Sequence, residues 1–150
     1  MDELVRWLGE QLDEDERIAR AAGEEDGPDW HYDGHAVLTR RENDLVAVGS
    51  QDFMEPARGE HIAAHDPARV LREIDAKRQL LDDHPIVPRT VEPTSVGGQE
   101  IGGPYYPFGC GNCHADPETG EVSGFGYCLT WRVLAAVHAD RSGYRQEWSP

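Results

Sequence analysis

The sequence is poor in lysine, in cysteine and in long apolar runs. Lys77 is the one lysine among fourteen basic residues. An arginine bias of this strength reflects a GC-rich coding sequence and bears on no fold. No stretch approaches the roughly 20 apolar residues that a membrane span needs. The opening MDELVRWLGEQLDEDE lacks the basic start and apolar core of a signal peptide, so a cytoplasmic chain is expected. In that reducing compartment three cysteines, an odd count, are expected as ligands or free thiols and not as disulfides. Cations are scarce too: 14 basic residues face 29 acidic ones, a formal net charge of -15. That balance repels nucleic acid and anionic membranes. It suits a solvated chain, a basic protein partner, or imitation of nucleic acid.

Several catalytic patterns are also missing. Gly97-Gly98 and Gly102-Gly103 fall in a Pro-rich stretch and follow no strand, so no phosphate-cradling loop is present. His61 and His65 are spaced as ligands on one helix face, but Ile62 follows His61 where a zinc protease places its glutamate. Cys128 with His138 has no recognisable nucleophile turn around it. Trp30, Trp131, Tyr144 and Trp148 could stack bases, yet the charge favours packing in the core and the tail.

What is present reads as an α+β chain. Leu4, Leu8 and Leu12, widened by Val5, Trp7, Ile18 and Ala19, predict a helix over 3–22, with Asp2 as N-cap and Gly23 as stop. Residues 1–30 hold eleven acidic and three basic residues, about half the net charge. A turn-rich connection runs from Gly23 to Trp30. His35–Thr39 and Leu45–Val48 predict a small hairpin around a polar turn. Gly49 to Gly59 reads as loop and Glu60–Ala64 as a short helix. Asp66-Pro67, a cap followed by proline at the first helical position, starts a long helix to about Asp83, buried through Val70, Leu71, Ile74, Leu80 and Leu81. Pro85 to Gly109 holds five prolines and five glycines and reads as a long loop with scope for disorder. Glu121–Tyr127 predicts a short strand, and Leu129–Val137 a last helix.

The chemistry lies in CGNCH, residues 110–114, and Cys128. Two cysteines separated by two residues form a knuckle whose sulfurs converge on one ion, as in zinc sites. A third cysteine opening a helix gains from the helix dipole, which favours the thiolate. Knuckle, turn, strand and helix follow in the order of a treble-clef zinc unit. Such units place another ligand three residues after the helical one, and Trp131 stands there. The fourth ligand must therefore come from elsewhere. His84 is preferred, because it ends the long helix and precedes a flexible segment. His114 adjoins Cys113, which makes closure of a tetrahedron awkward, and His138 lies nearly three turns beyond Cys128. CGNCH also matches the c-type haem attachment motif, but that chemistry needs export and only Met1 and Met54 offer a thioether.

The pieces MDELVRWLGEQLDEDERIARAA, HIAAHDPARVLREIDAKRQLLDDH, the C-x-x-C-then-C arrangement and the ending YRQEW resemble a family of small acidic proteins of unknown function from actinobacteria and their phages. HDPARVL followed by AKR is the most specific stretch. The resemblance implies a cytoplasmic or phage-encoded protein with no assigned activity. In that family's pattern glycine usually follows the second cysteine, where this chain has His114, which weakens His114 as a shared ligand. The family's tail tends to carry a histidine near Arg141, and its absence here favours His84. The loop from Pro85 to Gly109 is longer than the family norm.

The sequence is thus read as one domain over 1–150, made of a helix–hairpin–helix part over 1–84, a Pro/Gly-rich loop over 85–109, and a zinc-held, treble-clef-like part over 110–150. The ligand set is Cys110, Cys113, Cys128 and His84, around a structural Zn2+. The expected role is a non-enzymatic, zinc-stabilised interaction or accessory protein with a protein partner. The alternatives are an acidic nucleic-acid-mimicking inhibitor of a DNA-binding protein and a zinc-dependent hydrolase.

Overall fold

A computed structural model describes residues 2–90, 95–96, 99–100, 107–122 and 126–150. Among these described residues, four helices and small antiparallel sheets make the chain α+β. It divides into two compact units, Met1–Glu10 with Lys77–Pro150, and Gln11–Ala76. Helices α1 (Glu3–Ala22) and α3 (Pro67–Asp83) contribute residues to both. No helix among the described residues is long and apolar enough to cross a membrane.

The predicted stripe of α1 buries Leu4, Trp7, Leu8, Leu12 and Ala19, while Ile18 is half exposed. Asp2 caps the helix, its Oδ1 accepting the Leu4 N–H at 2.9 Å. In the unit formed by Gln11–Ala76, β1 (Trp30–Tyr32), β2 (Ala36–Thr39) and β3 (Leu45–Val48) form an antiparallel sheet in that order. β2 and β3 are the predicted hairpin. β1 lies where the sequence reads as the end of a connection. It pairs Trp30 with Thr39 and Tyr32 with Val37. Helix α2 spans Pro56–Ala64, one turn longer toward its start than predicted. Gly59 reads as a breaker but belongs inside α2: a Cβ there would lie 2.3 Å from the Tyr32 ring, so only glycine lets that ring lie against the helix. The Tyr32 hydroxyl then donates to the Met54 carbonyl at 2.8 Å.

In the other unit, β4 (Ile86–Pro88) pairs antiparallel with β7 (Phe108–Cys110). β4 and all of β7 but Cys110 lie within the stretch read as loop. Between them β5 (Ser95–Val96) pairs with β6 (Gln99–Glu100), while 91–94, 97–98 and 101–106 lie outside the described residues, so the expectation of disorder there goes unaddressed. Helix α4 is Leu129–Ala136. The tail returns onto α1: Trp148 is 1% exposed and its ring centroid lies 5.3 Å from that of Trp7. The Trp7 indole donates to the Ser142 carbonyl at 3.1 Å, beside Gly143, whose φ of +85° suits glycine. Trp131 and Trp148 are thus core residues and offer no stacking platform.

Asp66 does more than cap α3. One oxygen accepts the Arg69 N–H at 2.8 Å, and the other accepts the Trp30 N–H at 3.2 Å, tying β1 to the helix start. From sequence, Asp66→Asn would be almost silent. With both oxygens engaged, an asparagine keeps the cap but turns its NH2 toward the Trp30 N–H. Asp66→Asn is expected to cost about 1 kcal/mol and Asp66→Ala about 2 kcal/mol, one cap plus one further hydrogen bond. Urea unfolding of the two variants checks the order, and equal losses would remove the second bond from the account.

Candidate metal centre

Four donors come together in the unit that contains the C-terminus. Among the described residues, His84, Cys110, Cys113 and Cys128 form the group able to hold a metal ion, their ligand atoms all within 4.8 Å of one another.

Each arrives for a local reason. Cys110 ends β7, and the knuckle turn after it closes through the His114 N–H donating to the Cys110 carbonyl at 3.0 Å. The Cys113 N–H points at Cys110 Sγ, 3.4 Å away, as knuckle amides do toward a thiolate. Cys128 is the N-cap of α4. It is brought beside β7 by the Gly126 N–H donating to the Phe108 carbonyl at 3.2 Å. His84 comes from the far side of the long connection. Ile86 stands opposite Cys110 in the β4–β7 ladder, and the Gly111 N–H extends the ladder to the Pro85 carbonyl at 2.9 Å. One residue further back lies His84, alongside the knuckle. Gly111 permits this approach, since a Cβ there would sit 3.1 Å from Pro85 Cγ and 3.2 Å from Val87 Cγ1.

His84 Nδ1 lies 3.4 Å from Cys110 Sγ, 3.3 Å from Cys113 Sγ and 4.0 Å from Cys128 Sγ. One ring nitrogen carries at most one proton, so it cannot satisfy three sulfurs by hydrogen bonding. A tetrahedral ion bound at about 2.3 Å to sulfur and about 2.0–2.1 Å to nitrogen gives nitrogen–sulfur edges of about 3.6 Å. The three distances straddle that value, so the donor set fits such an ion.

Two neighbours hold His84, and the sequence reading assigned a role to neither. The Trp131 indole donates to the His84 carbonyl at 2.9 Å, from a fully buried ring. Thr130 Oγ1 lies 3.5 Å from His84 Nε2, on the side away from the sulfurs. That placement suits a metal-ligating histidine, whose second nitrogen is oriented by an outer partner. The sequence signal was present: Trp131 stands three residues after Cys128, where a fourth ligand is usual. It anchors His84, the fourth candidate donor of the cluster.

Without an ion Cys128 and Cys113 resist ionisation. Burial pushes Cys128 up to about 12, with the charges of Cys110 and Cys113 adding to it and the Trp131 amide opposing. Burial also raises Cys113, followed by the charge of Cys110. A bound cation supplies the positive charge that would reverse both.

The other histidines lie elsewhere. The ring of His114 accepts the Cys110 N–H through Nδ1 at 3.0 Å, and burial lowers its pKa, which keeps that nitrogen available as an acceptor. His138 is 2% exposed and meets Trp7 edge-on at 6.4 Å. His61 and His65 stack at 4.3 Å with His65 Nδ1 on the His61 carbonyl, and Asp66 is engaged in capping, so no His-His-Asp site assembles. The strand expected over Glu121–Tyr127 is represented by one bridge, Ala115 to Val122, with 123–125 outside the described residues.

The model of a family of unknown function, DUF6221, matches residues 1–150. The chain belongs to this family. No curated protein matches the DUF6221 chain at a significant level. No solved structure does either.

His84→Ala is expected to weaken metal retention by more than the roughly 10–100-fold typical of losing an outer partner. His114→Ala and His138→Ala should change it far less, and Thr130→Val by about tenfold. Competition with a chromophoric chelator measures all four, and equal losses for His84→Ala and His114→Ala would remove His84 from the set.

Proposed function

We propose that this chain is a zinc-stabilised, non-enzymatic interaction or accessory protein that docks a protein partner. Zinc is the ion that three thiolates and one imidazole suit best, as a structural Cys3His site. Four protein donors complete the tetrahedron and leave no position for a water or substrate, which argues against a hydrolase. A groove of about 800 Å³ borders His84, but its walls are Val5, Leu81, Ile86, Pro88 and Phe108, with Asp82 as the acidic group. It offers no poised acid–base pair at the ion.

One observation carries the docking role. Helix α4 follows Cys128 of the donor cluster, and its exposed residues Leu129 and Val133, together with Val137 at its C-cap, are all aliphatic, 63%, 48% and 60% exposed. They recur every four residues, so they form one stripe. A helix that is apolar on both faces is normally covered on both. The net charge of -15 favours a basic surface around the apolar contact. Imitation of nucleic acid is the weaker reading, because Arg6, Arg17 and Arg20 pair with Glu10, Glu14 and Glu16 along α1 and interrupt its acidic face. A cytoplasmic setting agrees with unpaired cysteines gathered for a metal.

Metal analysis of protein prepared under reducing conditions is expected to find about one zinc per chain. Removing it with a chelator should lower the melting temperature by more than 10 °C, and a metal-free preparation with an unchanged melting curve would overturn the zinc reading. Val133→Asp should keep both the zinc and the melting temperature while losing proteins that the unaltered chain retains in a pull-down. Identical retention would take the docking role away from α4.

A further inference from the structure

The three cysteines of the cluster differ in exposure to solvent. Cys110 and Cys128 are 0% and 2% exposed, whereas Cys113 is exposed. A thiolate held by zinc remains a nucleophile, and which sulfur an oxidant reaches is set by access. The neighbour of Cys113 is equally specific. Cys110 shares its turn, which closes through a single backbone bond of 3.0 Å between the His114 N–H and the Cys110 carbonyl, and the Cys113 N–H already points at Cys110 Sγ. A bridge from Cys113 to Cys110 stays within that turn. Bridging Cys113 to Cys128 would pull on the start of α4, whose N-cap is Cys128.

We propose that the centre is a reversible peroxide-sensitive release site, with Cys113 the attacked sulfur and Cys110 the resolving one. The inference rests on the zinc reading above and adds regulation to it. The Cys113 thiolate attacks one oxygen of a hydroperoxide; an S–O bond forms, the O–O bond breaks, and hydroxide leaves and takes a proton to become water. Sulfur is oxidised to the sulfenic acid and the peroxide is reduced. The Cys110 thiolate then attacks Cys113 Sγ; the S–S bond forms, the S–O bond breaks, and a second hydroxide leaves and is protonated by solvent. Two electrons pass from the two thiolates to one peroxide. Two anionic ligands are lost, and His84 with Cys128 alone does not retain the ion. A thiol reductant takes the disulfide back to two thiolates and restores the site.

The test uses the full chain loaded with one equivalent of zinc and treated with hydrogen peroxide beside a chromogenic zinc chelator. In parallel samples dimedone traps sulfenic acid, or iodoacetamide blocks remaining thiols, before peptide mapping. The expected result is early dimedone on Cys113, then a Cys110–Cys113 disulfide with Cys128 alkylated, and release of about one zinc per chain. Dithiothreitol with added zinc should reverse it. A chain that takes up no zinc at the loading step overturns the zinc reading, and the switch with it, before peroxide is added. A chain that loads zinc and keeps it, with three reduced cysteines under peroxide that fully oxidises glutathione, overturns the switch and leaves the zinc reading intact. Dimedone first on Cys110 or Cys128, or a disulfide that includes Cys128, overturns the assignment of the two roles.

Discussion

The short ladder between β4 and β7 is the interaction on which the C-terminal half depends. Three residues pair with three, and a two-stranded ribbon of that size is marginal on its own. Yet it sets His84 beside the knuckle, where the Trp131 indole then holds its carbonyl, while every other donor follows residue 107 in the chain. The ladder and the cluster need each other. The strands bring the donors within reach, and in the proposed metal-bound chain the ion closes the long connection at its mouth. Loop entropy grows only slowly with length, about 0.6 kcal/mol for each doubling, so a long connection is tolerated once its ends are held.

In the proposed zinc-bound chain, that mutual dependence gives the ion a large share of the stability. A structural zinc contributes on the order of 10 kcal/mol, against a net stability of about 5–15 kcal/mol for a domain. Other visible interactions are smaller. The ion pairs on α1 are solvent-exposed, with Arg17 and Glu14 at 65% and 49%, and such pairs are worth about 0–1 kcal/mol each. The aromatic contacts of Trp7 with Tyr144 and Trp148 anchor the tail by burial, but no donor to the ion comes from them.

Helices were the legible part of the fold. α1, α3 and α4 announce themselves through apolar period, Asp2 and Asp66 as caps, and Pro67 at the first position, and their limits agree with the structure. Of the stripe read for α3, however, only Ile74 is buried; Val70, Leu71 and Leu81 are half-buried and Leu80 is exposed. The strands that matter most were not legible. β4 and β7 sit in a segment dense in proline and glycine, and three-residue strands have no period to detect. β1 was hidden because Trp30 follows a run of turn residues. Gly59 misled in the opposite direction, since its meaning depends on Tyr32, a residue far away in sequence. In the candidate site the cysteines were legible from spacing and His84 from its position at a helix end. The part played by Trp131 was not, because a tryptophan in an apolar helix reads as core, and only the fold shows its indole N–H aimed at a carbonyl.

Trp131 also constrains how such a centre can drift. The helical position three residues beyond Cys128 can supply a ligand or an anchor for His84, and one side chain cannot do both. A substitution that placed cysteine or histidine there would add a potential donor while releasing the backbone of His84. The buried indole therefore couples the start of α4 to the end of α3: whatever lies between His84 and Cys110 must keep the length and pairing that bring the His84 carbonyl within reach of residue 131.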